Sequence, residues 1–151
     1  MPYVELLARS NFSFLQGASH PEEMVEEALR LKYQGLVLSD LNGLYGVVRG
    51  YKAAKTPSLF VSSVAADPHF RYALGAELTL TDARTVVLVP VDEEGYRNLC
   101  RLLTEGKRNV AKYFSLTTTE QLRLHQKGLL AFPLPPWTRE QFLEWQSIFQ
   151  D

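Results

Sequence analysis

The stretch YVELLARSNFSFLQGASHPEEMVEEALRLKYQGLVLSDLNGLYGVV, residues 3–48, decides how the rest of the chain is read. Tyr3 to Ala8 is short and mostly apolar, as a strand is. Ser19 with Glu22 three residues later forms a capping box, and Pro21 falls in the first turn, where a missing N–H does no harm. Met24, Val25, Ala28 and Leu29 then recur at helical spacing, with Glu22, Glu23, Glu26 and Glu27 mostly on the other side. Gly35 is placed to end the helix. Leu36 to Leu38 is a second buried strand, with Ser39 and Asp40 at its C-terminal end, and a second helix is expected from Leu44 to Lys55, burying Leu44, Val47, Val48 and Tyr51. Strand, helix, strand, helix predicts an α/β fold with a mostly parallel sheet, whose function gathers where the strands end.

The remainder continues the alternation. Ser58 to Phe70 is the least regular stretch. Leu74 to Leu80 and Thr85 to Val89 read as a strand pair around Thr-Asp-Ala-Arg. Asp92 to about Lys107 is a helix turning Tyr96, Leu99, Leu102 and Leu103 inward, and its acidic start, Asp92, Glu93 and Glu94, suits the helix dipole. Thr117 with Glu120 caps a short helix that Gly128 ends, Leu129 to Phe132 is a strand, and Thr138 with Gln141 opens a last helix carrying Phe142, Trp145 and Phe149 at helical spacing.

Composition bounds the function. The 151 residues carry 16 Lys+Arg against 17 Asp+Glu, with 46% hydrophobic and 11% aromatic content. A disordered tail and a fibrous repeat are excluded, and near-neutral charge argues against a general phosphate-binding surface. The lone Cys100 cannot form an internal disulfide, which fits a reducing cytoplasm. No apolar run approaches the roughly 20 residues that span a bilayer, so no membrane association is expected.

The blocks YVEL at 3–6, SNFSFL at 10–15, GASHPEE at 17–23, SDLNGLYG at 39–46, GAELTL at 75–80, DEEGYRNLCRLLTEG at 92–106 and GLLAF at 128–132 resemble, in order, the PHP (polymerase and histidinol phosphatase) domain. The similarity is greatest to the N-terminal PHP domain of bacterial error-prone DNA polymerases of the polymerase III alpha type. The resemblance implies a distorted (β/α) barrel that holds two or three Zn, Mn or Mg ions and hydrolyses phosphate esters, or proofreads. Against the family's pattern, the ligand positions read Leu7 and Arg9 after the first strand, Gln16 in the next loop, Leu41 after Asp40, and Thr85 where a His opens the following strand; Asp40 and Glu77 survive.

These replacements point away from a metal centre. Leu7 and Leu41 offer no lone pair, and Arg9 would hold a permanent positive charge where a cation should sit. Arg9 is expected to pair with Asp40 or Glu77 instead. The expected function is a non-catalytic PHP-like module of a polymerase, a scaffold or interaction surface in replication or repair synthesis, without cofactor. The alternative is a residual metal-dependent phosphoesterase using Asp40 and Glu77, with His20 as an optional further ligand. His20, in a helix's first turn, is read as a capping or surface residue; His69 and His125 have no metal-ligand spacing, Cys100 reads as an inert thiol on an apolar helix face, and Ser10 and Ser39 lack a nearby His base.

Residues 1–151 are expected to form one degenerate domain that lacks the C-terminal part of the family's barrel, so polymerase domains, another chain or a second copy is expected to cover the open side. Arg97, Arg101, Arg108 and Lys112 fall near one helix face. They read as a solvated face, with contact to a phosphate backbone or an acidic partner as the other possibility.

Overall fold

The structure, a computed structural model, describes residues 3–56, 67–108, 110–111 and 114–149. The chain divides into two compact units, Met1–Gly75 and Ala76–Asp151. The α/β class read from the sequence is the one observed.

In the first unit β1 (Val4–Ala8), α1 (Pro21–Arg30), β2 (Gly35–Leu41), α2 (Val47–Lys55) and the start of β3 (Arg71–Thr79) follow one another. β1 lies parallel to β2, with a bulge between Glu5 and Ala8 where Leu6 and Leu7 oppose Val37 alone. The Leu7 amide, freed from the ladder there, donates to the Glu5 carboxylate at 2.9 Å. Every residue of β2 from Gly35 to Asp40 is buried, as expected of a parallel strand covered on both faces. Val25 and Ala28 from α1, Leu36 and Leu38 from β2, Val47 and Ala53 from α2, and Phe70 form the core. Complete burial of a side chain such as Leu38 contributes about 1.5–3 kcal/mol.

Three expectations are corrected in this unit. The N-cap of α1 is His20, one residue after Ser19, and its amide donates to Glu23 Oε2 at 2.7 Å. Pro21 takes the first helical position, and the Ser19 carbonyl is already engaged by the Asn11 amide at 2.8 Å. Gly35 starts β2 instead of ending α1; the turn after the helix is made by Lys32 at φ 58°, and a Cβ at Gly35 would stand 2.5 Å from the Arg71 carbonyl. α2 begins at Val47, and its buried positions are Val47, Gly50 and Ala53, while Val48 and Tyr51 are exposed.

In the second unit the end of β3 pairs antiparallel with β4 (Thr85–Pro90), and β4 antiparallel with β5 (Leu129–Leu134). The expected strand pair is a hairpin whose turn places Ala83 at φ 66°. α3 (Glu93–Arg108), α4 (Thr119–His125) and α5 (Arg139–Ile148) complete the unit. Leu78, Leu80, Val86, Leu88, Leu99, Leu102, Leu122, Trp145 and Ile148 are its core, whereas Tyr96 and Phe142 stay largely exposed. The expected capping box of Thr138 and Gln141 is present. That of α4 sits one residue later than expected, on Thr118 and Gln121, because Thr117 is buried as the bridge partner of Leu80.

Gly128, at φ +72°, precedes β5, and a Cβ on Gly95 would collide with its carbonyl. The expected irregular stretch from Ser58 lies outside the described residues up to position 66; Asp67 to Phe70 form a turn closed by the Phe70 amide on the Asp67 carbonyl at 3.1 Å.

Candidate functional site

The loop after β1 and the C-terminal end of β2 meet around one buried carboxylate. Asp40 is 1% exposed, between Ser10 at 0% and Ser13 at 1%. Its Oδ1 accepts from the Ser10 amide at 2.7 Å, the Ser10 hydroxyl at 3.0 Å and the Ser13 hydroxyl at 2.7 Å; its Oδ2 accepts from the Ser10 hydroxyl at 2.8 Å. The serines are themselves held. The Phe12 amide donates to Ser10 Oγ at 3.2 Å, and the Leu41 amide to Ser13 Oγ at 2.9 Å. Each hydroxyl therefore accepts from the backbone and donates to the carboxylate, the arrangement that makes a buried anion tolerable.

The sequence builds this clamp locally. Ser13 accepts the Gln16 and Gly17 amides on its carbonyl at 2.8 and 2.9 Å, folding SNFSFLQG into a tight turn. Gly17 is required there, since a Cβ would fall on the Ser10 carbonyl. At Gly46, just before α2, a Cβ would stand 3.0 Å from Asp40 Oδ2 and 2.7 Å from Pro21. Burial pushes the Tyr72 hydroxyl's pKa well above its ordinary value, and the charge of Asp40 adds to the shift. That hydroxyl donates to the Val47 carbonyl at 3.0 Å.

The other positions singled out in the sequence fall as follows. Leu7 and Arg9 are half-buried on and just after β1, Leu41 is half-buried at the end of β2, and Gln16 is exposed. His20 caps α1 and its Nδ1 lies 3.0 Å from Asn11 Nδ2, so the ring is engaged with a neighbouring loop. In the second unit Glu77 is buried at 4% exposure opposite Val87, and Thr85 opens β4 opposite Thr79 and Leu134.

His125 contacts Glu105 at 3.2 Å, and Cys100 is half-buried. Arg97 pairs with Glu93 at 3.4 Å, Arg101 and Arg108 are exposed on α3, and Lys112 lies outside the described residues. Among the described residues, no group of three or more His, Cys, Asp or Glu side chains is gathered closely enough for a metal ion, and no helix is long and apolar enough to cross a membrane. Leucine carries no lone pair, so Leu7 and Leu41 cannot join such a group.

Sequence reading kept Asp40 in view but did not find Ser13, whose hydroxyl reaches it across 27 positions. The signal was a serine set directly between two aromatics, Phe12 and Phe14, in SNFSFL, which a motif search for metal ligands passes over.

With this geometry in place, the class is an α/β domain whose first strands converge on a buried acid. Comparison with known proteins gives the family: the PHP domain matches residues 5–134, and the chain belongs to it. The chain is 53% identical over 149 residues to the error-prone DNA polymerase of Bdellovibrio bacteriovorus, covering 99% of this chain and 14% of that protein. To the error-prone DNA polymerase of Rhodopirellula baltica it is 40% identical, covering 87% and 10%, and to that of Pseudomonas aeruginosa 36% identical, covering 93% and 13%. The chain thus spans about a seventh or less of these relatives. Among solved structures, a proposed metal-dependent phosphoesterase from Bifidobacterium adolescentis superposes with a TM-score of 0.51 at 17% identity over 70% of this chain and 33% of that one, a likeness of fold.

Proposed function

We propose that the chain is a non-catalytic PHP module of an error-prone DNA polymerase, a scaffold or interaction surface in replication or repair synthesis. The association rests on the relatives, each of which carries a matching stretch within a much longer polymerase chain. The observation that carries the loss of catalysis is the Asp40 clamp. A hydrolytic metal site needs several lone pairs turned toward an open coordination position. Here the acid at the family's ligand position accepts from Ser10 and Ser13 through both oxygens and is sealed from solvent.

Its neighbours are equally unsuited. Leu7 and Leu41 replace ligands with hydrocarbon, and Arg9 brings a cation that does not deprotonate. The residues present do not fit the family's metal centre, and no reaction step is derived through one. The retained carboxylate serves the fold, by tying the β1 loop to the end of β2. The metal-dependent phosphoesterase reading rests on Asp40 and Glu77, with His20 as an optional third ligand; the Asp40 oxygens are engaged by Ser10 and Ser13, and His20 Nδ1 faces Asn11.

The test is phosphodiesterase and phosphomonoesterase assay of the purified chain with p-nitrophenyl phosphate, its bis ester and a single-stranded oligonucleotide, in Zn, Mn or Mg. The expected result is no turnover above buffer with metal. Turnover that disappears in Asp40→Asn would overturn the reading.

A further inference from the structure

We propose that the outward face of α2 is a docking track for single-stranded nucleic acid. α2 carries Arg49, Lys52 and Lys55 and no carboxylate between Val47 and Lys55. Because Val47, Gly50 and Ala53 face the core, all three cations project outward, together with Val48 at 61% and Tyr51 at 54% exposure. Tyr45, in the turn just before the helix, is 62% exposed.

The rings and charges alternate along the face. Phe12 lies 6.4 Å from the Tyr45 ring, with the Arg49 guanidinium 5.9 Å from its centroid; Lys55 Nζ lies 5.7 Å from the centroid of Tyr51, and Lys52 comes between. Arg49 and Lys55 are six residues apart, about 9 Å along the axis. Beyond Lys55 the face runs into a groove lined by Tyr51, Lys55, Asp67, Arg71 and Tyr72. Two acids oppose the cations: Glu22 accepts from Arg49 Nε at 2.9 Å, and Asp67 lines the groove. Phosphate contact therefore falls chiefly to Lys52, Lys55 and Arg71.

This chemistry selects its ligand. The exposed rings offer flat faces for stacking, and the cations beside them offer regular positive charge. A single strand matches both, because its unpaired bases stack on aromatic side chains while its backbone follows the cations. An acidic peptide satisfies only the charges, and a duplex keeps its bases covered. The inference stands apart from the metal-site reading, since none of these residues belongs to the Asp40 clamp.

The experiment is fluorescence anisotropy of the chain with a labelled oligo-dT of about 16 nucleotides, the upper site size of a small single-strand binding module. Saturable binding is expected at about 50 mM salt. Three phosphate contacts would weaken it roughly 20-fold at about 200 mM, with a slope near 0.7 per contact. Lys52→Glu with Lys55→Glu should weaken binding at least about 10-fold, and the milder pair Lys52→Gln with Lys55→Gln should follow in the same direction. Tyr51→Ala should weaken it by about 5-fold or more, through lost stacking.

Arg97→Glu with Arg101→Glu on α3 should leave it unchanged, and a duplex of equal length should bind several-fold more weakly. Circular dichroism and melting temperature establish that each variant is folded. The proposal is overturned by an absence of saturable binding at low salt, by binding that survives both Lys pairs, by loss on the α3 reversal, or by polyglutamate competing as well as oligo-dT, which would mark an acidic protein partner.

Discussion

The two units of this chain use the same elements to different ends. In the first, β1 and β2 run parallel, so their C-terminal ends lie together and the following loops meet there; Ser10, Ser13 and Asp40 are brought into one buried cluster. In the second, β3, β4 and β5 are antiparallel, and successive strand ends point in opposite directions. Its interior is dominated by leucine and valine, and its best-defined charged network is peripheral. There Arg84 pairs with Asp82 at 2.6 Å and with Glu144 at 2.7 Å while lying 5.2 Å from the centroid of Trp145. Parallel pairing brings Ser10, Ser13 and Asp40 together in one place. In the antiparallel unit the Arg84 network lies at the margin, while Glu77 is a buried carboxylate within the strands.

The comparison is broken most severely at its two buried centres. Asp40→Ala would leave the Ser10 amide and both serine hydroxyls buried without their acceptor. About 3–5 kcal/mol of destabilisation is expected in urea unfolding of the chain. A loss under about 1 kcal/mol would mean that the clamp carries little of the fold. In the second unit Leu99→Ala, at a fully buried position, should cost about 2–5 kcal/mol through a cavity alone. The two differ in what rescues them: an apolar small-molecule ligand can fill the Leu99 cavity but cannot replace the Asp40 acceptor.

Smaller effects sharpen the contrast. Ser13→Ala removes one hydroxyl from Asp40 and the acceptor of the Leu41 amide, and about 1–3 kcal/mol of destabilisation is expected by the same measurement. Thr138→Ala deletes a cap whose hydroxyl accepts the Gln141 amide at 3.2 Å, at about 1 kcal/mol.

The smallest effect is pH-dependent and belongs to the second unit. The Arg84 guanidinium holds the Asp82 carboxyl below its ordinary value of 3.8. A depressed folded pKa means that the unfolded chain takes up the proton first. The contribution is therefore complete above the ordinary value and lost as pH falls through the folded one. Because the Asp82 side chain is 46% exposed, solvent screening keeps it to a few tenths of a kcal/mol. Replacing Arg84 with Met should flatten the acid limb of a melting-temperature profile below about pH 4.

These particulars also show what the sequence carried. The alternation of strands and helices was legible, because apolar periodicity reports burial directly and residues 3–48 carry it cleanly. Helix starts slipped by one residue at His20 and at Thr118. In both places a polar residue one step earlier satisfies the capping pattern, while a tertiary contact (Asn11 on Ser19, Leu80 beside Thr117) decides which residue caps. The face of α2 was misread for another reason: its buried stripe includes Gly50 and Ala53, small residues (Gly50 against the Tyr72 ring) that a search for large apolar side chains passes over in favour of Val48 and Tyr51.

At the site, the family pattern drew attention to Leu7, Arg9, Gln16, Asp40, Leu41, Glu77 and Thr85 from the sequence alone. The fate of the surviving Asp40 was not legible there. Its partners are ordinary serines 27 and 30 positions away, and only the folded loop brings them to it.

The most direct test of the central claim, that this PHP module has exchanged metal ligation for a structural clamp, is a calorimetric titration of the purified chain with Mn and Zn, run beside Leu7→His/Arg9→His/Leu41→His. No stoichiometric binding is predicted for the unaltered chain and measurable binding for the triple variant, in which imidazoles return to three ligand positions. One or more equivalents bound by the unaltered chain, and lost on Asp40→Asn, would contradict the account.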